Sequence, residues 1–245
     1  MLRSYLFLAW LYGWMAVCGI LYIPTVLFPR AVTQHALALY AQIVRVGLKL
    51  ICGIETEIRG RENMVQGPAI YAGKHHCMLD VFIPFIIVRD SCHILKRELM
   101  WTPFLGWYAL STGMIPIDRE GTSRTLKAII AAGKKRAAQG RTIVIFPEGT
   151  RRAPDDPPLY QAAGISALNK ALNVAIIPVA TNAGVCWTAK GARRLPGKIV
   201  YEVLPAIPPG LDRKALMARL ESDLETASNR LIAEGRAVQA ARGAR

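Results

Sequence analysis

From Ser4 to Pro29 the chain carries no charged residue, and Arg3 and Arg30 bracket the run. A stretch this apolar has to be covered by protein or by lipid, because leaving it in water costs about 25 cal/mol per Å2 of apolar surface. As one helix it would reach about 39 Å, longer than the roughly 30 Å hydrocarbon core of a bilayer. Trp10, Tyr12, Trp14 and Tyr22 lie along it, with amphipathic rings suited to the headgroup level. The run is too long for a cleaved secretory signal, and no clear small-residue cleavage site follows it. Pro24 and Pro29 favour a break over one straight crossing.

Residues 31–51 continue as a second helix. Gln34, Ala38, Gln42, Arg45 and Lys49 recur every three or four residues and draw a narrow polar stripe along an otherwise apolar surface. A helix of this kind lies in an interface with its cations near anionic headgroups. Three arrangements fit: one true span, a helical hairpin sunk into a single leaflet, or two helices buried against the rest of the protein. The hairpin ranks slightly ahead of the span.

Hydrophobic residues make up 52% of the 245, and 31 Lys and Arg stand against 17 Asp and Glu, for a net charge of +14. Such an excess calls for a polyanionic partner, and the apolar composition favours an anionic membrane over nucleic acid. No nucleic-acid recognition element is recognisable. Cys18, Cys52, Cys77, Cys92 and Cys186 are odd in number, scattered and without metal-type spacing, as expected of reduced thiols facing a cytosol.

After Cys52-Gly53 short apolar strands alternate with helices. Strands are expected at residues 69–72, 93–96, 114–117, 142–146, 174–179 and 199–204, and helices at 79–88, 123–139 and 211–234. This alternation implies an α/β fold with a mixed or largely parallel central sheet flanked by helices. Residues 1–52 then form a membrane-associated segment, 53–235 the catalytic domain, and 236–245 a basic tail that frays.

Residues able to do chemistry cluster where strands end, the edge at which α/β sheets collect their sites. His75 and Asp80 follow the first of these strands in Lys74-His75-His76-Cys77-Met78-Leu79-Asp80. An imidazole oriented by a carboxylate can deprotonate an alcohol. Lys96 closes the second strand, Arg119 follows the third, and Glu148, Gly149 and Arg151 follow the fourth. Without further context each has a plainer reading. Arg119 and Arg151 would be surface ion-pair partners, Lys96 a solvated cation, and Pro147 with Gly149 a turn.

Four blocks, His75-x4-Asp80, Gly113-x-Ile115-Pro116-Ile117-Asp118-Arg119, Phe146-Pro147-Glu148-Gly149-Thr150-Arg151 and Ile177-Pro178-Val179, resemble in order and spacing those of the glycerolipid acyltransferases, the HX4D family. The resemblance spans roughly residues 60 to 210 and is nearest to bacterial members that acylate 1-acyl-sn-glycerol-3-phosphate. It implies acyl transfer from a thioester, acyl-CoA or acyl-ACP (acyl carrier protein), to the free hydroxyl of lysophosphatidic acid, with no metal and no further cofactor. His75 would be the base and Asp80 its orienting partner. Lys96 and the Gly149 amide would meet the oxyanion, and Arg119 and Arg151 would hold the phosphate. Glu148 would bind a glycerol hydroxyl or steady Arg119. The resemblance also implies a bacterial inner membrane, with the catalytic domain facing the cytoplasm.

Two positions depart from the pattern: Cys77 stands where the family usually has serine, and Lys74 where it often has Asn. A thiol there admits a covalent route through the thioester, against its reading as a small buried hydrophobe. Another lysolipid, such as a lyso-ornithine lipid, is an alternative acceptor. A lipid-binding protein without catalysis is the alternative of another class.

Overall fold

The computed structural model describes residues 1–118 and 123–243. Among these, one sheet is built from β1 (Ile54–Arg59), β2 (Ile70–Gly73), β3 (Ser91–Lys96), β4 (Ile115–Ile117), β5 (Thr142–Ile145), β6 (Ile176–Thr181) and β7 (Gly197–Val203). Their order across the sheet is β1-β7-β6-β2-β5-β3-β4. All neighbours run parallel except β6 and β7, so the sheet is mixed, as expected. The strand missing from the sequence reading is β1, an edge strand whose Glu55, Glu57 and Arg59 interrupt its apolar residues.

The helices are α1 (Leu2–Leu21), α2 (Arg30–Cys52), α3 (Leu79–Phe82), α4 (Pro84–Ile87), α5 (Leu105–Ser111), α6 (Ser123–Ala137), α7 (Ala162–Leu172), α8 (Ala183–Cys186) and α9 (Arg213–Gly243). The helix expected over residues 79–88 is split where Pro84, lacking an N–H, opens a new turn. The last helix does not stop at 234. It runs to Gly243, so the segment expected to fray from Arg236 onward is helical as far as it is described. Alanine and arginine are strong helix formers, and the end is tied down. Gln239 donates to the Val185 and Pro196 carbonyls, and Arg242 to that of Gly53.

The two-residue period of the strands sorts the core. Tyr71, Val144, Ile177 and Ile199 share one cluster with Phe7, Leu11, Val44 and Leu48 of α1 and α2. Their neighbours Ile70, Ile143, Ile176 and Val200 share another with Ile129, Ile165, Leu168, Leu220 and Leu224 of α6, α7 and α9. The sheet is therefore covered on both faces, as parallel strands require, and the N-terminal helices form one of the covers.

These two helices pack as a hairpin around a 3-10 turn at Ile23–Leu27. Tyr40 donates to the Leu11 carbonyl at 2.9 Å and the Trp10 indole to that of Ile43 at 3.1 Å. A Cβ on Gly47 would lie 2.3 Å from the Trp10 nitrogen, so glycine is what admits the indole. Both helices are long and apolar enough to cross a membrane. About a third of each is buried: 28% of the apolar window in α1 and 33% in α2.

The polar stripe of α2 is received in part by the catalytic body, while Gln42 and Lys49 stay exposed. Gln34 donates to the Ser91 carbonyl at 2.7 Å, Arg45 reaches the Thr56 carbonyl and hydroxyl at 2.9 Å, and Lys49 leans toward Glu55. The strand ends beneath α2 offer oxygens that these side chains satisfy. α1 and α2 also turn large apolar residues outward, among them Leu2, Tyr5, Leu6, Leu21, Leu39 and Leu50, beside the exposed Arg30, Gln42 and Lys49.

Candidate active site

The loop leaving β2 carries Lys74 to Met78, and Asp80 sits in the first turn of α3. Asp80 is 1% exposed and organises this loop with its two oxygens. Oδ2 accepts the main-chain N–H of His76 at 2.6 Å and of Cys77 at 2.7 Å, and the Nδ1 of His75 lies 3.1 Å away. Oδ1 accepts the hydroxyl of Tyr201, from β7, at 2.7 Å. Burial alone would raise the Asp80 carboxyl, but the His75 hydrogen bond, the neighbouring imidazoles and the Cys77 amide outweigh it and hold it below its usual value. An ionised carboxylate only accepts, so Nδ1 of His75 carries the proton and Nε2 presents a lone pair. Nε2 has no partner among the described residues, and the His75 side chain keeps 13% exposure. The ring stacks on Phe146 at 4.5 Å.

The His75 backbone is pinned on both sides by the loop after β5. Its N–H donates to Glu148 Oε2 at 2.7 Å, and its carbonyl accepts the N–H of Arg152 at 2.8 Å. The other Glu148 oxygen takes the ammonium of Lys74 at 2.8 Å. Lys74 also meets Glu225 of α9 at 2.8 Å, and Tyr160 donates to that same carboxylate at 2.6 Å. Lys74 and Glu148 are both buried. Glu148 thus holds the His75 backbone and the Lys74 ammonium; Arg119, which it was expected to steady, lies outside the described residues.

The remaining sequence candidates divide. The Gly149 amide donates to the Phe146 carbonyl at 3.0 Å, closing a turn that needs the residue's φ of 69°. It is therefore engaged within the turn and not offered to an oxyanion. Arg151 is exposed. Lys96, exposed at the end of β3, lies on the same sheet edge as His75, two strand spacings or about 10 Å across. Arg119 falls outside the described residues. Cys77 is fully buried, and burial first, then the Asp80 charge, push its thiol well above the ordinary range. A thiol so held is inert, which removes the ground for the covalent route.

Beside the dyad is a cavity of about 150 Å3 lined by Ile94, Leu95, Ile117, Ile129, Phe146 and Gly149 among others. Phe146 belongs both to its wall and to the His75 stack. Sequence reasoning missed Tyr201, Tyr160 and Glu225, which reach the site from 121, 65 and 151 residues' separation from their partners. No local pattern marks such residues. Lys74 was visible as a departure from the family pattern, but its burial between two carboxylates was not.

An imidazole oriented by a buried carboxylate at the carboxyl edge of a mixed sheet is an arrangement able to take a proton from an alcohol. A family model described as Acyltransferase matches residues 55–182, and the chain belongs to this acyltransferase family. It is 30% identical over 186 residues to the 1-acyl-sn-glycerol-3-phosphate acyltransferase of Pseudomonas aeruginosa, covering 76% of this chain and 72% of that protein. The mouse 1-acyl-sn-glycerol-3-phosphate acyltransferase alpha is 27% identical over 199 residues, with 80% and 69% covered. The crystal structure of the 1-acyl-sn-glycerophosphate acyltransferase PlsC from Thermotoga maritima shares the fold, with a TM-score of 0.79 and 20% identity over 94% of this chain and 96% of its own.

Proposed function

We propose that the protein transfers an acyl chain from an acyl thioester, on coenzyme A or acyl carrier protein, to the sn-2 hydroxyl of 1-acyl-sn-glycerol-3-phosphate, forming phosphatidic acid at a membrane surface. The observation that carries this reading is the partner-free Nε2 of His75, whose opposite nitrogen meets a buried, ionised Asp80. Nε2 takes the hydroxyl proton as the oxygen attacks the thioester carbonyl, and later returns it to the leaving thiolate. Asp80 steadies the imidazolium formed in between. Lys96 is the cation on this edge assigned to the developing oxyanion, and Arg151 with Arg119 to the phosphate of the acceptor. The apolar cavity behind Phe146 suits the start of an acyl chain. The relatives' names support lysophosphatidic acid as acceptor. The outward apolar residues of α1 and α2 support a hairpin resting in one leaflet of a membrane. We take this to be the cell's inner membrane, with the catalytic domain on the cytoplasmic side.

The test is an assay of purified full-length protein with a panel of lysolipids and both thioester donors. Lysophosphatidic acid should gain the chain, and His75→Ala should abolish transfer while vesicle binding persists. Normal turnover in His75→Ala would sink the base assignment, and acylation of another lysolipid alone would change the acceptor.

A further inference from the structure

We propose that the segment from Arg97 to Ser111 is a second lipid-contacting element, seating Trp101, Trp107 and Leu110 in the headgroup region of a phospholipid bilayer beside the N-terminal hairpin. The proposal rests on the membrane-surface reading above and assigns part of that surface to the catalytic body itself.

The exposure is concentrated. Trp101 is 85% exposed, Leu110 69% and Trp107 52%, all within one short stretch. Isolated exposed hydrophobes are ordinary, whereas a grouped apolar surface marks an interaction site. Nor is the stretch loose. Residues Arg97–Trp101 form a 3-10 turn, the Gly106 amide donates to the Thr102 carbonyl at 3.0 Å, and α5 packs back on the turn. A Cβ on Gly106 would stand 1.9 Å from the Met100 oxygen, so the two halves touch through backbone.

The segment is also joined to the end of α1. Phe104 adopts a φ of 64°, unusual for a residue with a side chain, and its ring rests on Gly19, where a Cβ would lie 2.9 Å from Cγ. Such a conformation persists only where surroundings over-determine it. The Phe104 ring meets Trp107 edge-on at 5.6 Å, Tyr108 donates to the Gly19 carbonyl at 2.6 Å, and Ser111 lies 3.2 Å from Thr33 of α2. The exposed rings therefore continue the apolar surface that Ile20, Leu21, Leu27 and Phe28 present at this end of the hairpin.

That continuity selects the occupant. The adjoining helices are long and apolar enough to enter a bilayer, and tryptophan favours its headgroup zone. The chain's net charge of +14 complements anionic lipid.

All five native cysteines are buried, so a polarity-sensitive fluorophore can be placed selectively at Trp101→Cys in the full-length protein. On vesicles of phosphatidylcholine with phosphatidylglycerol, its emission should shift to the blue and be quenched by a shallow nitroxide lipid. The same label at Lys135→Cys, on exposed α6, should not respond. Equal responses at the two positions would overturn the proposal. So would a shift that follows protein concentration in detergent without vesicles, which would mark a contact between copies of the chain. As a second measure, the triple change Trp101→Ser, Trp107→Ser, Leu110→Ser should weaken vesicle binding by about tenfold or more. It should leave turnover of a monomeric, water-soluble short-chain lysolipid unchanged, and undiminished vesicle affinity would also overturn the proposal. Absence of acyl transfer by the wild type would sink the proposed reaction, whereas an active wild type with a silent label at position 101 would sink only this element.

Discussion

The ammonium of Lys74 lies 2.8 Å from Glu148, and the carboxylate it holds accepts the backbone N–H of the adjacent His75 through its other oxygen. The position next to the base is thus coupled to it through a residue 74 positions downstream. Lys74→Met leaves Glu148 charged and buried with a single remaining donor. Breaking a buried pair from one side costs about 3–5 kcal/mol, so the denaturation midpoint should fall steeply, and turnover with it. Adding Glu148→Gln removes the stranded charge and should recover part of the stability. An unchanged midpoint in Lys74→Met would show that the pair contributes nothing.

Asp80 and Tyr201 separate orientation from support. Asp80→Asn should lower kcat by about 10^3- to 10^4-fold, because an amide cannot hold the Nδ1–H tautomer or steady the imidazolium. Tyr201→Phe keeps the carboxylate and removes one donor, costing about 1.5–3 kcal/mol of stability and far less turnover. Burial and the Asp80 charge keep the Tyr201 phenol protonated well past its normal range, so it remains a donor throughout. Equal activity losses in the two variants would contradict this division.

His93 predicts an acid weakness away from the dyad. It is fully buried against Phe85 at 4.5 Å, and burial, then the Arg141 charge, push its imidazole down to about 3. An unfolded His93 takes up a proton below about pH 6.5 while the folded one does not. Stability should therefore be intact above that pH and decline toward pH 3, by at most about 1.4 kcal/mol per pH unit. His93→Phe should flatten this slope in thermal melts between pH 7 and pH 4. An unaltered slope would place the acid sensitivity elsewhere.

Removing residues 1–52 should not yield a soluble, folded catalytic body. Phe7, Ala41, Val44 and Leu48 are 0% exposed and lie over the sheet. Their loss uncovers Tyr71, Val144 and Ile177, directly beneath the strand ends that carry the site. The truncated chain should aggregate or lose its cooperative melt, as read by calorimetry and light scattering. A sharp transition near that of the full chain would refute the covering role.

Much of the site was legible because its members sit at fixed offsets from strand ends. His75 and Asp80 meet within a five-residue loop, and β2, β3 and β5 announce themselves as apolar runs. Edge strand β1 was hidden by its charges, and α5 by a segment too short to show a period. The partners of Glu148 were not legible because its two donors come from a loop 73 and 74 residues away. The partners of the stripe on α2 were hidden for a related reason. Periodicity reveals that a helix has a polar side, but not whether water, lipid headgroups or strand carbonyls receive it. Here Ser91 and Thr56 receive Gln34 and Arg45, and Gln42 and Lys49 stay exposed.

Because one side of the hairpin seals the sheet and the other turns large apolar residues outward, occupancy of the outer side is thermodynamically linked to folding. A surface that binds the assembled hairpin and not the unfolded chain raises the melting temperature in proportion to the logarithm of its concentration. Lipid would then act as a ligand of the fold, and detergents of differing affinity for these helices would report differing stabilities for one unchanged catalytic centre. Detachment from the bilayer would also become a route to turnover of the protein, since the hydrophobic cover of its core loses its outer partner in the same event.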